Sequence, residues 1–305
     1  MHDHSGHSHS HAHAPVKHGA AFAIGISLNL AFVVIEAIYG IVSHSMALVA
    51  DAGHNLTDVL SLALSWGAAV LAARTPTQRR TYGLRSATIW ASLANAMALL
   101  FLTGAIAWES IRRLASPEPI AAKTVIVVAI VGTLINGVSA LFFIAGKKGD
   151  LNVRSTFLHL VADAAFSLGV AVAGVIMMAT GWRWLDPAVS IVLSIVILAS
   201  AWSLLKSSVN LALNAVPEGI DPNEVRIYLS GLPDVDEVHD LHIWAMSTTE
   251  NALTTHLVMK APPTDAGFIG SVCHELHERF GIEHSTIQLD SAQAPDPCRL
   301  RSSAL

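Results

Sequence analysis

Charge is what this chain has least of. Asp, Glu, Lys and Arg make up 13% of its 305 residues, about half the usual fraction of a soluble domain. Its 18 Lys and Arg are outnumbered by 23 Asp and Glu, for a net charge of −5, which argues against nucleic acid, since that partner needs clustered basic residues. Cysteine is nearly absent. Cys273 and Cys298 are too few for a disulfide-dense secreted fold and form no CxxC metal knuckle. No cleaved signal peptide is expected, because residues 1–18 are polar and no small-residue cleavage site follows a short apolar core. What is abundant is oil. Apolar residues reach 52% of the chain and concentrate between Gly19 and Leu205, while the residues after them read like ordinary soluble protein. Such a chain is a membrane protein.

A hydrocarbon core about 30 Å thick needs about 20 apolar residues per helical crossing. Six segments qualify, at 19–42, 45–73, 86–109, 122–146, 155–180 and 185–206. Short breaks such as Arg74-Thr75-Pro76 and Ser116-Pro117-Glu118-Pro119 separate them. In lipid the backbone must satisfy itself, so each segment is expected to be a helix. Lys and Arg then set the orientation. The 74–85 and 147–154 loops carry seven (Arg74, Arg79, Arg80, Arg85, Lys147, Lys148, Arg154), and the opposite side carries four (Arg112, Arg113, Lys123, Arg183). Six crossings with that bias put both termini in the cytoplasm.

An ionisable group at the bilayer centre costs about 2.5–3.5 kcal/mol even on the lenient insertion scale, so each one present needs a reason. Most crossings have none. The second has Asp51, His54 and Asp58, and the fifth has His159 and Asp163. His54-x-x-x-Asp58 and His159-x-x-x-Asp163 share i, i+4 spacing, which puts each His and its Asp on one helical face. The polar stripe continues through 51, 54, 58, 61 and 65 on one helix and 155, 159, 163 and 167 on the other. Facing one another, the helices offer two nitrogens and two oxygens, a set suited to a tetrahedral divalent ion. Interhelical hydrogen bonding is the plainer alternative, but identical spacing on two helices is hard to obtain from packing alone. Glu36, seven residues after Asn29 on the first helix, reads equally as packing or as a second proton-titrating site. Asn95 and Asn136 read as helix–helix contacts, and Asp51 as an entrance or helix-start carboxylate.

Imidazole with carboxylate suits zinc, cobalt, nickel and, less well, cadmium. Neither Cys lies in the oil, which argues against copper(I). Zinc leads, since it accepts four ligands without a d-electron penalty. No organic cofactor is expected. Metal must displace any proton on its ligands, and His titrates near neutral pH, so the same residues suggest exchange of metal for protons.

Both ends of the chain are polar. Residues 1–18 carry His2, His4, His7, His9, His11, His13 and His18 among Ser, Ala, Asp and Gly, a disordered tail read as a metal-gathering arm. A 19–213 membrane domain follows, then a compact 214–292 domain and a flexible 293–305 tail. Asp221-Pro222 makes a helix start. Alternation at 235–246, 252–260 and 283–290, with a helix near 265–280, gives an α-β-β-α-β order and a small α+β domain. His239 and His256 fall on adjacent strands, where a structural or sensing metal site is plausible. His274 and His277 lie off the apolar face of their helix, and His274-Glu275-Leu276-His277 is one residue short of a zinc-protease signature.

These features together resemble the cation diffusion facilitator family, and within it the bacterial zinc, cobalt and cadmium exporters. The resemblance covers the chain after residue 17. It rests most on SMALVADAGHNLTDVL (Ser45 to Leu60), Tyr82-Gly83-Leu84-Arg85, FLHLVAD (Phe157 to Asp163) and HDLHIW (His239 to Trp244). It implies a membrane all-α bundle of six helices with a ferredoxin-like cytoplasmic domain, a homodimer, and proton antiport by alternating access. Carried over by position, the intramembrane zinc site is His54, Asp58, His159 and Asp163, and the cytoplasmic-domain ligands include His239, His256 and Asp290. Gln288 stands where some members carry His, which implies a reduced or absent binuclear cytoplasmic site. The 74–85 loop has no Asp or His, so the loop site of some members is not expected.

Two rivals come from other classes. A membrane-anchored metal sensor or store needs no ligands buried in lipid. An intramembrane hydrolase would use zinc-bound water, but both His–Asp pairs are taken as ligands and no further base is evident beside them. Secondary export of Zn²⁺, with Co²⁺ and Cd²⁺, is the reading that uses both pairs.

Overall fold

In the computed structural model, the described residues are 19–144, 151–260, 263 and 266–291. The His-rich start, Lys147, Lys148 and the 293–305 tail lie outside them. Six long helices come first: α1 Gly19–Val42, α2 Met46–Ala72, α3 Ala87–Ala115, α4 Ala122–Phe143, α5 Leu151–Thr180 and α6 Leu185–Ala212. Five, α2 to α6, contain a stretch long and apolar enough to cross a membrane by themselves, and α1 adds the apolar stretch Leu30–Val42. The chain is a multi-pass membrane protein. Its apolar side chains behave accordingly, with Trp66, Phe101, Phe142 and Trp202 between 64% and 81% exposed, an arrangement suited to acyl chains rather than water.

Helix ends follow local chemistry. Ser45 caps α2 with extended backbone and accepts from Leu48 N–H at 3.2 Å. Asp186, at the start of α6, adds its carboxylate to the same helix end, accepting from the Ser45 hydroxyl and from Met46 N–H at 2.6 Å. α3 runs six residues beyond the expected 109, because Arg112 and Arg113 in its last turn pair with Glu109 at 3.0 and 3.1 Å. Ser116-Pro117 stops it.

α4 packs most extensively on α5, and α3 on α6, while α2 lies against α1 and α3 and meets α5 only sparsely. Small residues permit the closest approach. A Cβ on Gly174 of α5 would sit 2.8 Å from Ile126 Cγ1, and one on Gly132 of α4 2.9 Å from Phe32 Cζ. One apolar cluster (Phe32, Leu48, Ile106, Val125, Val170 and Leu193 among its members) gathers the first turns of α2 and α4 with the latter half of α5. It therefore lies toward the end of the bundle opposite the C-terminal domain.

That domain follows the expected order: α7 Pro222–Ser230, β1 Val235–Ala245, β2 Asn251–Met259, α8 Ala266–Phe280 and β3 His284–Ser291. β2 is central, antiparallel to β1 and parallel to β3. Val225 and Leu229 of α7 and Val272 and Leu276 of α8 bury against Val238, Ile243, Leu253 and Leu257. The domain meets the bundle at the Tyr82-Gly83-Leu84-Arg85 turn. Arg85 pairs with Glu250 at 2.9 Å, Thr248 N–H donates to Thr88 Oγ1 at 3.0 Å, and the Tyr82 and His284 rings meet edge to face at 5.6 Å. Gly83, at φ 73°, makes the turn.

Candidate metal centre

One helical turn separates His54 from Asp58 on α2 and His159 from Asp163 on α5, and the fold brings the four side chains face to face. His159 Nε2 lies 3.2 Å from Asp58 Oδ2 and 3.5 Å from Asp163 Oδ2. His54 Nε2 lies 3.7 Å from both Asp58 Oδ2 and Asp163 Oδ1. Donors about 2.0–2.2 Å from a tetrahedral zinc stand about 3.4 Å apart, so these four His–Asp distances, four of a tetrahedron's six edges, are close to that spacing. Chelating atoms of Asp58, His159 and Asp163 lie within 4.8 Å of one another. The imidazole rings of His54 and His159 are 6.1 Å apart and nearly perpendicular. Asp58 Oδ2 and Asp163 Oδ1 are buried without a hydrogen-bond donor, a costly arrangement in an apolar setting unless a cation faces them.

Exposure is graded across the group. The His159 side chain is 47% exposed and Asp58 33%, against 17% for His54 and 5% for Asp163. The more exposed pair lies nearer the C-terminal domain, since α2 runs toward that domain and α5 away from it. The apolar cluster lies on the other side, beyond His54 and Asp163.

Beyond His54 the polar stripe stays buried. Asp51 is 3% exposed and accepts from Ser167 Oγ at 2.7 Å, so it is neither an entrance residue nor a helix-start cap. It lies six residues into α2 and faces Glu36 of α1 across a carboxyl–carboxyl contact. Asn55 Nδ2 donates to Glu36 Oε2 at 3.4 Å. On the other side of the stripe, Ser61 donates to Asn95 Oδ1 at 2.7 Å, the helix–helix contact expected of Asn95. Nothing in the sequence linked Asp51 to Glu36, because the helices' relative rotation decides which residues meet.

The C-terminal domain holds a second cluster. His239 and His256 are directly opposed across β1 and β2, with rings 4.9 Å apart. Asp290 on β3 accepts from His256 Nδ1 at 2.9 Å and lies 3.7 Å from His239 Nε2. Partial burial works to raise the Asp290 carboxyl, but hydrogen bonds from Gln288 and His256 and the nearby imidazoles hold it below the usual carboxylate range. Asp240 completes the group unexpectedly. Strand alternation would send it to the opposite face from His239, yet a register shift between His239 and His242, with Asp240 at φ 53°, turns it back. Its carboxylate then meets His242 Nε2 at 2.9 Å and His256 Nε2 at 3.7 Å. The Asp-Leu between two histidines was the available signal, but alternation does not reveal a bulge. His274 and His277 stand exposed on α8, away from this cluster.

Comparison with known proteins covers both parts of the chain. The cation efflux transmembrane domain matches residues 22–211, and the cation efflux protein cytoplasmic domain matches residues 217–292. Zinc transporter ZitB of Escherichia coli is 35% identical over 302 residues, 98% of this chain and 96% of that protein. Metal cation efflux system protein CzcD of Cupriavidus metallidurans is 34% identical over 291 residues, 95% and 91% of the two chains. The cadmium, cobalt and zinc/H(+)-K(+) antiporter of Bacillus subtilis is 31% identical over 273 residues, 88% of each. With both domain models matched in order and relatives aligned along nearly its whole length, this chain belongs to the cation efflux family of metal transporters.

Proposed function

We propose that this protein is a proton-coupled exporter of divalent transition metal, Zn²⁺ first and Co²⁺ and Cd²⁺ with it, acting as a homodimer by alternating access. The observation that carries the reading is the four-donor group of His54, Asp58, His159 and Asp163, whose His–Asp distances of 3.2–3.7 Å suit a tetrahedral borderline cation within membrane helices. Two carboxylates offset the charge of the ion in a medium that does not solvate it. The relatives named for zinc, cobalt and cadmium transport support the choice of metal.

The steps follow from the groups present. A cation enters from the side of the C-terminal domain, where Asp58 and His159 are most exposed. It binds only to neutral imidazole, so a proton held there must leave first. Rearrangement of the helices then opens the opposite end, protons compete for the same nitrogens and oxygens, and the cation is released. On this reading both termini are cytoplasmic, and the protein is a carrier rather than an enzyme. The His239, His256 and Asp290 cluster, joined by Asp240, is a cytoplasmic metal site that senses the cargo.

Radioactive zinc uptake into inverted membrane vesicles, with an internal pH dye, tests this. The wild type should accumulate zinc and release protons from the vesicle, and Asp58→Ala and Asp163→Ala should do neither while still dimerising. Zinc bound at the membrane site without accumulation would make the protein a sensor or store instead.

A further inference from the structure

Four ligands account for His54, Asp58, His159 and Asp163, and leave two buried acids unused. Glu36 is 0% exposed and Asp51 3%, in helices that cross lipid. They face each other across the α1–α2 contact. Among the described residues neither pairs with Lys, Arg or His within 4.0 Å, and Glu36 Oε1 is buried without any hydrogen-bond donor. Two adjacent carboxylates in an apolar setting repel strongly, and no fixed positive charge offsets them. A mobile cation must.

The donors around the pair say which one. Asn55 Nδ2 and Ser167 Oγ both point hydrogens at the carboxyl oxygens, at 3.4 and 2.7 Å. A metal ion needs lone pairs from its surroundings and finds N–H and O–H bonds instead. A single proton lying between two carboxyl oxygens needs nothing more. We propose that Glu36 and Asp51 form a proton-binding site of their own, one helical turn beyond the four-ligand cage, that holds one shared proton when the cage is empty and releases it when the cage fills.

The link to the cage is short. Asp51 precedes His54 by one turn on α2, and Ser167, its hydrogen-bond donor, follows Asp163 by one turn on α5. Asp163 and His54 are the charged groups that act on the pair from these two helices. The other neighbouring helices offer titratable groups only near their ends: Lys123 in the first turn of α4, Asp186 in the first turn of α6, Lys206 near its far end, and Glu109, Arg112 and Arg113 toward the end of α3. A divalent cation arriving between Asp163 and His54 brings positive charge within a turn of the pair and favours loss of its proton. By reciprocity, a proton on the pair disfavours metal in the cage. No bond other than the carboxyl O–H breaks, and the proton passes to water. The proposal builds on the exporter reading, in which this proton is one of those exchanged, but the acid pair is detectable without transport.

Infrared difference spectroscopy on the purified, full-length dimer, with zinc alone as the ligand, provides the test. Metal-free wild type should show a protonated-carboxyl C=O band that shifts in D₂O and disappears on zinc addition. Glu36→Gln should lack that band, still bind one zinc per cage, and release one proton fewer per zinc into a weakly buffered solution with a pH dye. Asp51→Asn should do the same, and serves if Glu36→Gln misfolds. Unchanged proton release in a folded variant, or a wild type without the band, overturns the proposal. Loss of zinc binding in His54→Ala with the band intact would leave it standing, while a wild type that binds but does not transport would remove only the exporter reading.

Discussion

A carboxylate's burial decides what its loss costs. Asp163 is 5% exposed and Asp58 33%, so the two carboxylates of the proposed site should not be equivalent. Removing one partner of a buried charged group costs about 2–5 kcal/mol. Asp163→Asn should fall at the upper end of that range in zinc binding free energy and Asp58→Asn at the lower, measured by calorimetry on the detergent-solubilised protein. Cys273 offers a contrast outside the membrane, where burial raises its thiol above the usual range. The thiolate is the reactive form, so alkylation of Cys273 in a Cys298→Ser background should be slow at neutral pH and quicken as pH rises past the ordinary cysteine value. Mass spectrometry of quenched samples reads it. The grouping of His54, Asp58, His159 and Asp163 was legible because a helix repeats every 3.6 residues, which turns H-x-x-x-D into a statement about one face. Asp240 was not, since a strand's two-residue period predicts the wrong side at a bulge.

Contacts between helices are a different matter. Asp186 caps α2 from a position 140 residues later in the chain, holding Met46 N–H and the Ser45 hydroxyl. The sequence does not reveal this role, because a cap supplied by another helix leaves no local signature. Removing it strands two buried donors, each worth about 1–3 kcal/mol. Asp186→Ala should therefore lower the midpoint of thermal unfolding more than the Ser45→Ala change, which leaves the carboxylate on the backbone. Gly174 marks a close approach of α4 and α5, with Ile126 2.8 Å from where a Cβ would stand. Gly174→Leu should cost about 1–3 kcal/mol through overpacking and show as reduced stability in the same assay, with zinc affinity per folded molecule little changed. Helix ends were readable where a proline or a charge run marks them. α3 overran its expected end because Glu109 neutralises Arg112 and Arg113, so charge alone did not stop it.

At the scale of the whole molecule, the two domains meet through the Tyr82–Arg85 turn, a stretch whose sequence had pointed to a family without pointing to a role. Arg85→Glu should weaken that junction by breaking the pair with Glu250, and adding Glu250→Arg should restore it. Spin labels at positions 88 and 248, whose parent residues are hydrogen-bonded, would broaden in distance for the single variant and narrow for the double. Deleting residues 2–14 should slow efflux at low zinc without abolishing it, because the cage lies elsewhere, and complete loss would show that the tail is part of the route. The cage itself is split between α2 and α5, which touch sparsely while each is packed firmly on other partners. It is a clasp set on a seam: any motion that parts those two helices leaves each half with one nitrogen and one oxygen. On the proposed reading neither half would keep the ion alone, so the grip would fail all at once rather than finger by finger.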